Sequence, residues 1–199
     1  MAKEMFEIFN AALYESIAGA PEILFVTSAG NSDNDAEFDL MYPSSYELPN
    51  ILTVGAVDQA GEETSFTTFG ENVDLHANGF EVESYVPGGE RMPMSGTSMA
   101  SPNACNLAAK LITIDPSLTP ERVIALIKEG ADTLEGQEDL KLMNPKQSVK
   151  LLASKAISPA EFDKTRIRSA GTIVYDVNGE SLFRRVPIYK GRNRVAYAD

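Results

Sequence analysis

Gly96-Thr97-Ser98-Met99-Ala100-Ser101-Pro102 is the stretch on which the reading of this chain turns. A serine sits in a tight Gly/Thr turn and is followed at once by small residues that can open a helix. Such a turn holds a hydroxyl at a helix N-terminus, where backbone N–H groups without intrahelical partners and the helix dipole favour negative charge. An oxyanion formed by attack of Ser98 on a carbonyl would meet those donors. Taken alone, a serine there is as well explained as a helix N-cap. A serine nucleophile also needs a base, usually histidine, and an acid to orient it. The chain has one histidine, His76, and it falls inside a predicted strand.

Composition narrows the classes. A chain of 199 residues with 43% hydrophobic residues is large enough to bury a sizeable core. Its net charge of −12 argues against nucleic acid and anionic membrane surfaces, which would repel it. No apolar stretch is long enough to span a bilayer, and Met1-Ala2-Lys3-Glu4-Met5-Phe6-Glu7 is not a signal peptide. The compartment is left open by that, and a secreted or periplasmic parent would carry its leader elsewhere. One cysteine, Cys105, forms no internal disulfide, so redox compartment is open too.

Helix and strand signals alternate along the chain. Met5, Phe6, Ile8, Phe9, Leu13 and Ile17 recur at helical period over residues 3–18. Strands are expected at 23–28, at 51–57 (a continuous apolar run suited to burial on both faces) and at 73–77. Residues 32–50 read as a long polar loop. Residues 80–86 and 90–95, split by Pro87-Gly88-Gly89, read as a hairpin leading to Ser98. The following helix should bury Ala100, Ala104, Leu107, Ala108, Leu111 and Ile112 on one face, with Cys105 as a small core residue. Thr119-Pro120-Glu121 is a capped helix start running to about Gly130, and a last helix spans Pro145 to Ser154. Beyond residue 155, Ser158-Pro159-Ala160-Glu161 reads as a helix start and residues 171–183 as a hairpin with an Asn-Gly turn. That extension, 156–199, holds Arg166, Arg168, Arg184, Arg185, Arg192 and Arg194, its reading being a packed hairpin or linker rather than a docking surface for an acidic partner.

The seven-residue stretch resembles the nucleophile motif of subtilisin-like serine proteases, the subtilases. Phe25-Val26-Thr27-Ser28-Ala29-Gly30-Asn31 resembles the family strand that ends in Ala-Gly-Asn. Tyr42-Pro43-Ser44-Ser45-Tyr46-Glu47-Leu48-Pro49-Asn50-Ile51 and the run Leu52 to Asp58 look like its tyrosine/proline loop and next strand. Ser65 to Gly70 and Val73 to Gly79 continue the likeness, with Asn78 where the family usually has Pro and Asn103 where it usually has His. The likeness runs from residue 10 to residue 152. Neither the Asp-Ser/Thr-Gly turn of the family's aspartate nor the His-Gly-Thr of its histidine occurs in the sequence.

The resemblance therefore implies the C-terminal portion, residues 1–155, of a three-layer α/β domain on a parallel sheet, its N-terminal part missing. Such a chain would own the last three parallel strands, 23–28 being the innermost and open-edged. It implies a serine endopeptidase working through an acyl-enzyme on Ser98, with Ser98 N–H and the Asn31 amide holding the oxyanion. Thr27, Ser28, Ala29 and Gly30 would form one wall of the pocket for the residue before the cut. The substrate would be a protein or peptide. Base and acid would come from the missing N-terminal half, leaving this chain alone inactive. A non-catalytic binding or structural module on the same scaffold is the alternative. No cofactor is expected. In some members, carbonyls of the tyrosine/proline loop and an aspartate resembling Asp74 hold a weak calcium or monovalent cation. The acidic loop Asp33, Asp35, Glu37, Asp39 lacks EF-hand glycine and spacing and reads as solvated. His76 stands where subtilases have an apolar residue, so it reads as structural and partly buried, and Met99 as packing.

Overall fold

Residues Ile51–Val57 form a strand, β2, whose seven residues are all buried, as an unbroken apolar run demands. In this computed structural model, which describes residues 2–134 and 137–155, β2 is second in a five-stranded sheet. Before it come helix α1 (Ala2–Ala18) and strand β1 (Phe25–Ser28). After it come β3 (Leu75–Asn78), the hairpin β4 (Val82–Tyr85) and β5 (Arg91–Met94), and helix α2 (Thr97–Ile114). Helix α3 (Pro120–Glu129), strands β6 (Asp132–Leu134) and β7 (Gln137–Leu142) and helix α4 (Pro145–Lys155) follow. The sheet order is β1-β2-β3-β7-β6. β1, β2, β3 and β7 run parallel, and β6 returns antiparallel to β7.

Three parallel strands are expected from the sequence; β7 is a fourth, and the β6–β7 pair lies in the stretch between Gly130 and Pro145 to which the sequence assigns no element. Residues 137–142, Gln-Glu-Asp-Leu-Lys-Leu, are rich in types depleted from strands, and only His76↔Leu142 registers β7 on β3. β1 is the open edge of the sheet, as expected. Phe25 N–H and Ala29 N–H reach back to Asn50 and Val54 carbonyls. Alternation of the backbone then aims the N–H and C=O of Val26 and Ser28 outward, unpaired within the sheet.

Asn50 joins α1 to this sheet. Its buried side-chain amide lies within hydrogen-bond distance of the Ile17, Ala20 and Ile23 carbonyls, 3.0–3.2 Å away, so the turn after α1 closes on the first residue before β2. Helix α2 lies close on the sheet because small residues line the contact. A Cβ on Gly79 would stand 2.7 Å from Gly96 O, 2.8 Å from Ala56 Cβ and 3.2 Å from Ala100 Cβ. Ala100, Ala104, Leu107, Ala108 and Leu111 of α2 are buried as its periodicity predicts. Two expectations on this helix fail: Ile112 is 38% exposed and Cys105 is exposed. Cys105 follows Ser98 by seven residues, so it shares Ser98's face, and that face points away from the sheet. Helix α3 begins as its sequence predicts, with Thr119 Oγ1 accepting the Arg122 N–H at 3.3 Å and Pro120 in the first turn. Among the described residues no helix is long and apolar enough to cross a membrane. The helix start at Ser158, the hairpin over 171–183 and the arginines from Arg166 to Arg194 lie outside the described residues.

Candidate active site

Helix α2 starts one residue before Ser98, at Thr97, with Gly96 as its cap. Gly96 has φ 155°, and its N–H donates to Gly79 O at 2.8 Å, so the chain doubles sharply out of the hairpin into the helix. Ser98 is the second helical residue and is exposed, whereas Thr97 is 1% exposed. Thr97 N–H donates to Asn31 Oδ1 at 2.8 Å, and Met99 N–H to Gly96 O at 2.9 Å. The Ser98 N–H, in the same first turn, has no acceptor among the described residues, as helix N-termini require unless something caps them.

Asn31 meets this turn from the end of β1. Its Oδ1 accepts twice from one residue, the Thr97 N–H at 2.8 Å and the Thr97 hydroxyl at 3.0 Å. Those two donors fix which end of the amide is oxygen, and Nδ2, the donor end, stands 3.4 Å from where a Cβ on Gly96 would be. The Thr97 hydroxyl in turn accepts Gly30 N–H at 3.2 Å. One buried threonine thus staples the Ala29-Gly30-Asn31 turn to the nucleophile turn. The sequence places Thr97 in the turn before Ser98 but gives no sign of this bridging role.

The stretch Thr27–Gly30, expected to flank a substrate, is equally fixed. The Thr53 hydroxyl gives its proton to Ser44 O at 3.0 Å, so Thr27, 3.1 Å from Thr53 Oγ1, is the donor of that pair. Its hydroxyl is spent inside the sheet and its N–H and C=O face β2, so the outward backbone groups of this stretch are those of Val26 and Ser28. Ala29 is 2% exposed. Gly30 has φ 120°, and a Cβ there would lie 2.7 Å from Met41 Sδ and 2.8 Å from Thr68 Oγ1. Its carbonyl accepts the Thr68 N–H at 3.0 Å. Any larger residue at 30 would disturb the turn that carries Asn31.

His76 is not part of this site. A Cβ on Gly55, its β2 partner, would fall 2.6 Å from His76 Cδ2, so the ring covers that face of the sheet. The next residue, Ala56, points to the opposite face, toward Gly79 and Ala100 of α2. Sheet and core therefore separate the imidazole from the helix bearing Ser98. The histidine is 4% exposed, more buried than the sequence suggested, and neither ring nitrogen has a hydrogen-bond partner among the described residues. Burial lowers its pKa from 6.5 to about 4. Glu63, 3.7 Å from Nε2, is itself raised above the usual carboxylate range by burial and then by the Asp33 charge.

That buried imidazole makes stability depend on pH. Below pH 6.5 the unfolded chain binds a proton that the folded chain refuses until about pH 4. Stability contributed by the neutral ring is thus complete above 6.5 and is lost as pH falls toward 4, by ~3 kcal/mol at 1.36 kcal/mol per unit. Urea unfolding of the full chain at pH 7 and pH 4, beside His76→Leu, is expected to show a steeper loss for the histidine protein by that amount. Equal losses would remove His76 as the cause.

The subtilase family, Peptidase S8, matches residues 3–149 of this chain. The cell wall-associated protease of Bacillus subtilis (strain 168) is 35% identical over 121 residues, 58% of this chain and 13% of that protein. The thermophilic serine proteinase of Bacillus sp. (strain AK1) is 44% identical over 86 residues, 43% of this chain and 20% of that protein. A cold adapted subtilisin-like serine proteinase superposes with a TM-score of 0.60 at 30% identity, covering 66% of this chain and 49% of that one. The chain thus spans 13% and 20% of those two relatives' lengths.

Proposed function

The chain belongs to the subtilase family, and from that we propose that it supplies the nucleophile and oxyanion site of a serine endopeptidase whose base and acid lie on another polypeptide segment. The observation that carries the reading is the capture of Asn31 Oδ1 by Thr97, which commits the amide oxygen and leaves Nδ2 as a donor beside the Ser98 turn. A relaxed scaffold with no reaction to run has no use for a fixed amide next to an exposed serine.

In the proposed reaction Ser98 Oγ attacks the scissile carbonyl of a peptide while the external base takes its proton. The carbonyl oxygen becomes an oxyanion, met by Ser98 N–H and Asn31 Nδ2. Collapse breaks the C–N bond; the base returns the proton to the leaving amine, and an acyl group stays on Ser98. Water, deprotonated by the same base, then releases the acid and restores the hydroxyl. Residues 27–30 would flank the acyl side of the substrate. The sole imidazole of the chain lies across the sheet from Ser98 and is held neutral by burial, which supports an external base. The outward backbone groups of Val26 and Ser28 give a strand from that second segment a place to pair.

A fluorophosphonate probe, which labels activated serines and spares ordinary ones, tests this. The chain alone should stay unlabelled, and a polypeptide bearing Asp-Ser/Thr-Gly and His-Gly-Thr should bring rapid labelling confined to Ser98. Stoichiometric labelling of the chain alone, abolished by His76→Ala, would overturn the external base. No labelling under either condition would favour the non-catalytic binding module.

A further inference from the structure

Asp74, the aspartate resembling a cation ligand of some subtilases, already has a positive partner in this chain. We infer that the ammonium of Lys128 is the built-in counter-cation of Asp74, so that the fold takes no calcium or monovalent ion at that place. The inference stands on the fold and does not depend on the proposed catalysis.

Both carboxylate oxygens of Asp74 are engaged. Oδ2 accepts the Thr53 N–H at 3.0 Å, while the Asp74 N–H donates to Thr53 O at 3.0 Å, a reciprocal clasp that fixes the carboxylate against β2. Oδ1 accepts from Lys128 Nζ at 2.5 Å. The Lys128 side chain is 37% exposed and that of Asp74 22%, so the pair sits at the wall of the domain rather than in open water. Lys128 belongs to the last turn of α3, where the helix dipole favours a cation. Position and partner therefore agree.

Four carbonyls of the loop over 41–48 already accept hydrogen bonds, which a metal would have to share or displace. Met41 O accepts from Ser45 N–H at 2.7 Å and from the Ser44 hydroxyl at 2.8 Å. Pro43 O accepts Tyr46 N–H at 3.1 Å, and Ser44 O the Thr53 hydroxyl at 3.0 Å. Tyr46 O accepts Leu48 N–H at 3.0 Å. Calcium takes about 6–8 oxygens. Beside Asp74 stands the Lys128 ammonium, whose charge repels a cation at that carboxylate.

Thermal melts of the full chain in chelator, in millimolar calcium, and in potassium against choline test the inference. The unaltered chain should melt at one temperature in all of them. Lys128→Met, which keeps the aliphatic stem, should lower the midpoint by about 2–4 °C, and Lys128→Arg should restore it. In Asp74→Asn the same Lys128→Met change should cost nothing further. A midpoint of the unaltered chain that rises with calcium or potassium would overturn the inference. So would a Lys128→Met loss of equal size in the Asp74→Asn background. If Lys128→Met fails to fold, the cation series on the unaltered chain and on Lys128→Arg still decides.

Discussion

Completed by a segment bearing base and acid, the chain is expected to lose about 10⁶ in kcat on Ser98→Ala, and without that segment to stand at the same floor. The size is that known for subtilisin when serine or histidine is removed. Its physical origin lies in the hydroxyl, which is a weak nucleophile until a neighbouring base takes its proton as it attacks. The one imidazole of the chain is not placed to do so. His76 packs on the sheet face away from α2, and its ring keeps its neutral form down to about pH 4 through burial, not through any contact with Ser98. What remains without a base is the oxyanion site, about 10³–10⁴ over water in subtilisin. Hydrolysis of a chromogenic peptide, followed with and without the second segment, reads both numbers. A Ser98→Ala protein within tenfold of its parent would place the nucleophile elsewhere, and a chain equally fast alone would mean that it holds its own base.

Much of this was legible from residues 25–31, 51–57 and 96–102 because backbone geometry there leaves few choices. Gly30 and Gly96 sit at φ 120° and 155°, with no space for a side chain at Gly30, so the motif that encodes the turn also encodes the site. β2 was legible since a strand covered on both faces must be apolar throughout. The β6–β7 pair was not. Its strands carry Asp, Gln, Glu and Lys, and one register pair attaches them to β3, so tertiary position overrides local preference. Cys105 shows a different failure. Helical period places it on Ser98's face, but cysteine's general preference for burial carries no information about that face, which is exposed. The membership of His76 in a strand was legible. Its orphaned nitrogens were not, because they depend on Gly55 opening the space that the ring fills. Thr97 was hidden for a similar reason: its role is a relation between two turns 66 residues apart.

That relation sets the second expected result. In the completed enzyme Asn31→Ala should lower kcat by about 10²–10³ with little change in KM, the loss of one oxyanion donor as known for subtilisin. The effect belongs to kcat because the amide meets charge that exists only once the tetrahedral intermediate forms. Thr97→Val should reproduce part of that loss, roughly tenfold. Valine keeps the shape and the backbone N–H to Asn31 Oδ1, but removes the hydroxyl that both holds Oδ1 and accepts Gly30 N–H. With one anchor gone, the amide spends part of its time turned, presenting oxygen instead of N–H to the developing negative charge. Thr97→Ser keeps the hydroxyl and should recover most of the rate, which a purely structural threonine would not require. Ser32→Ala, next to Asn31 and exposed, should leave kcat unchanged. Steady-state kinetics of the four variants separate the cases. A loss confined to KM, or the same loss from Ser32→Ala, would make Asn31 a turn residue; failure of Thr97→Ser to recover the rate would make Thr97 a packing residue and leave the amide held by the backbone alone.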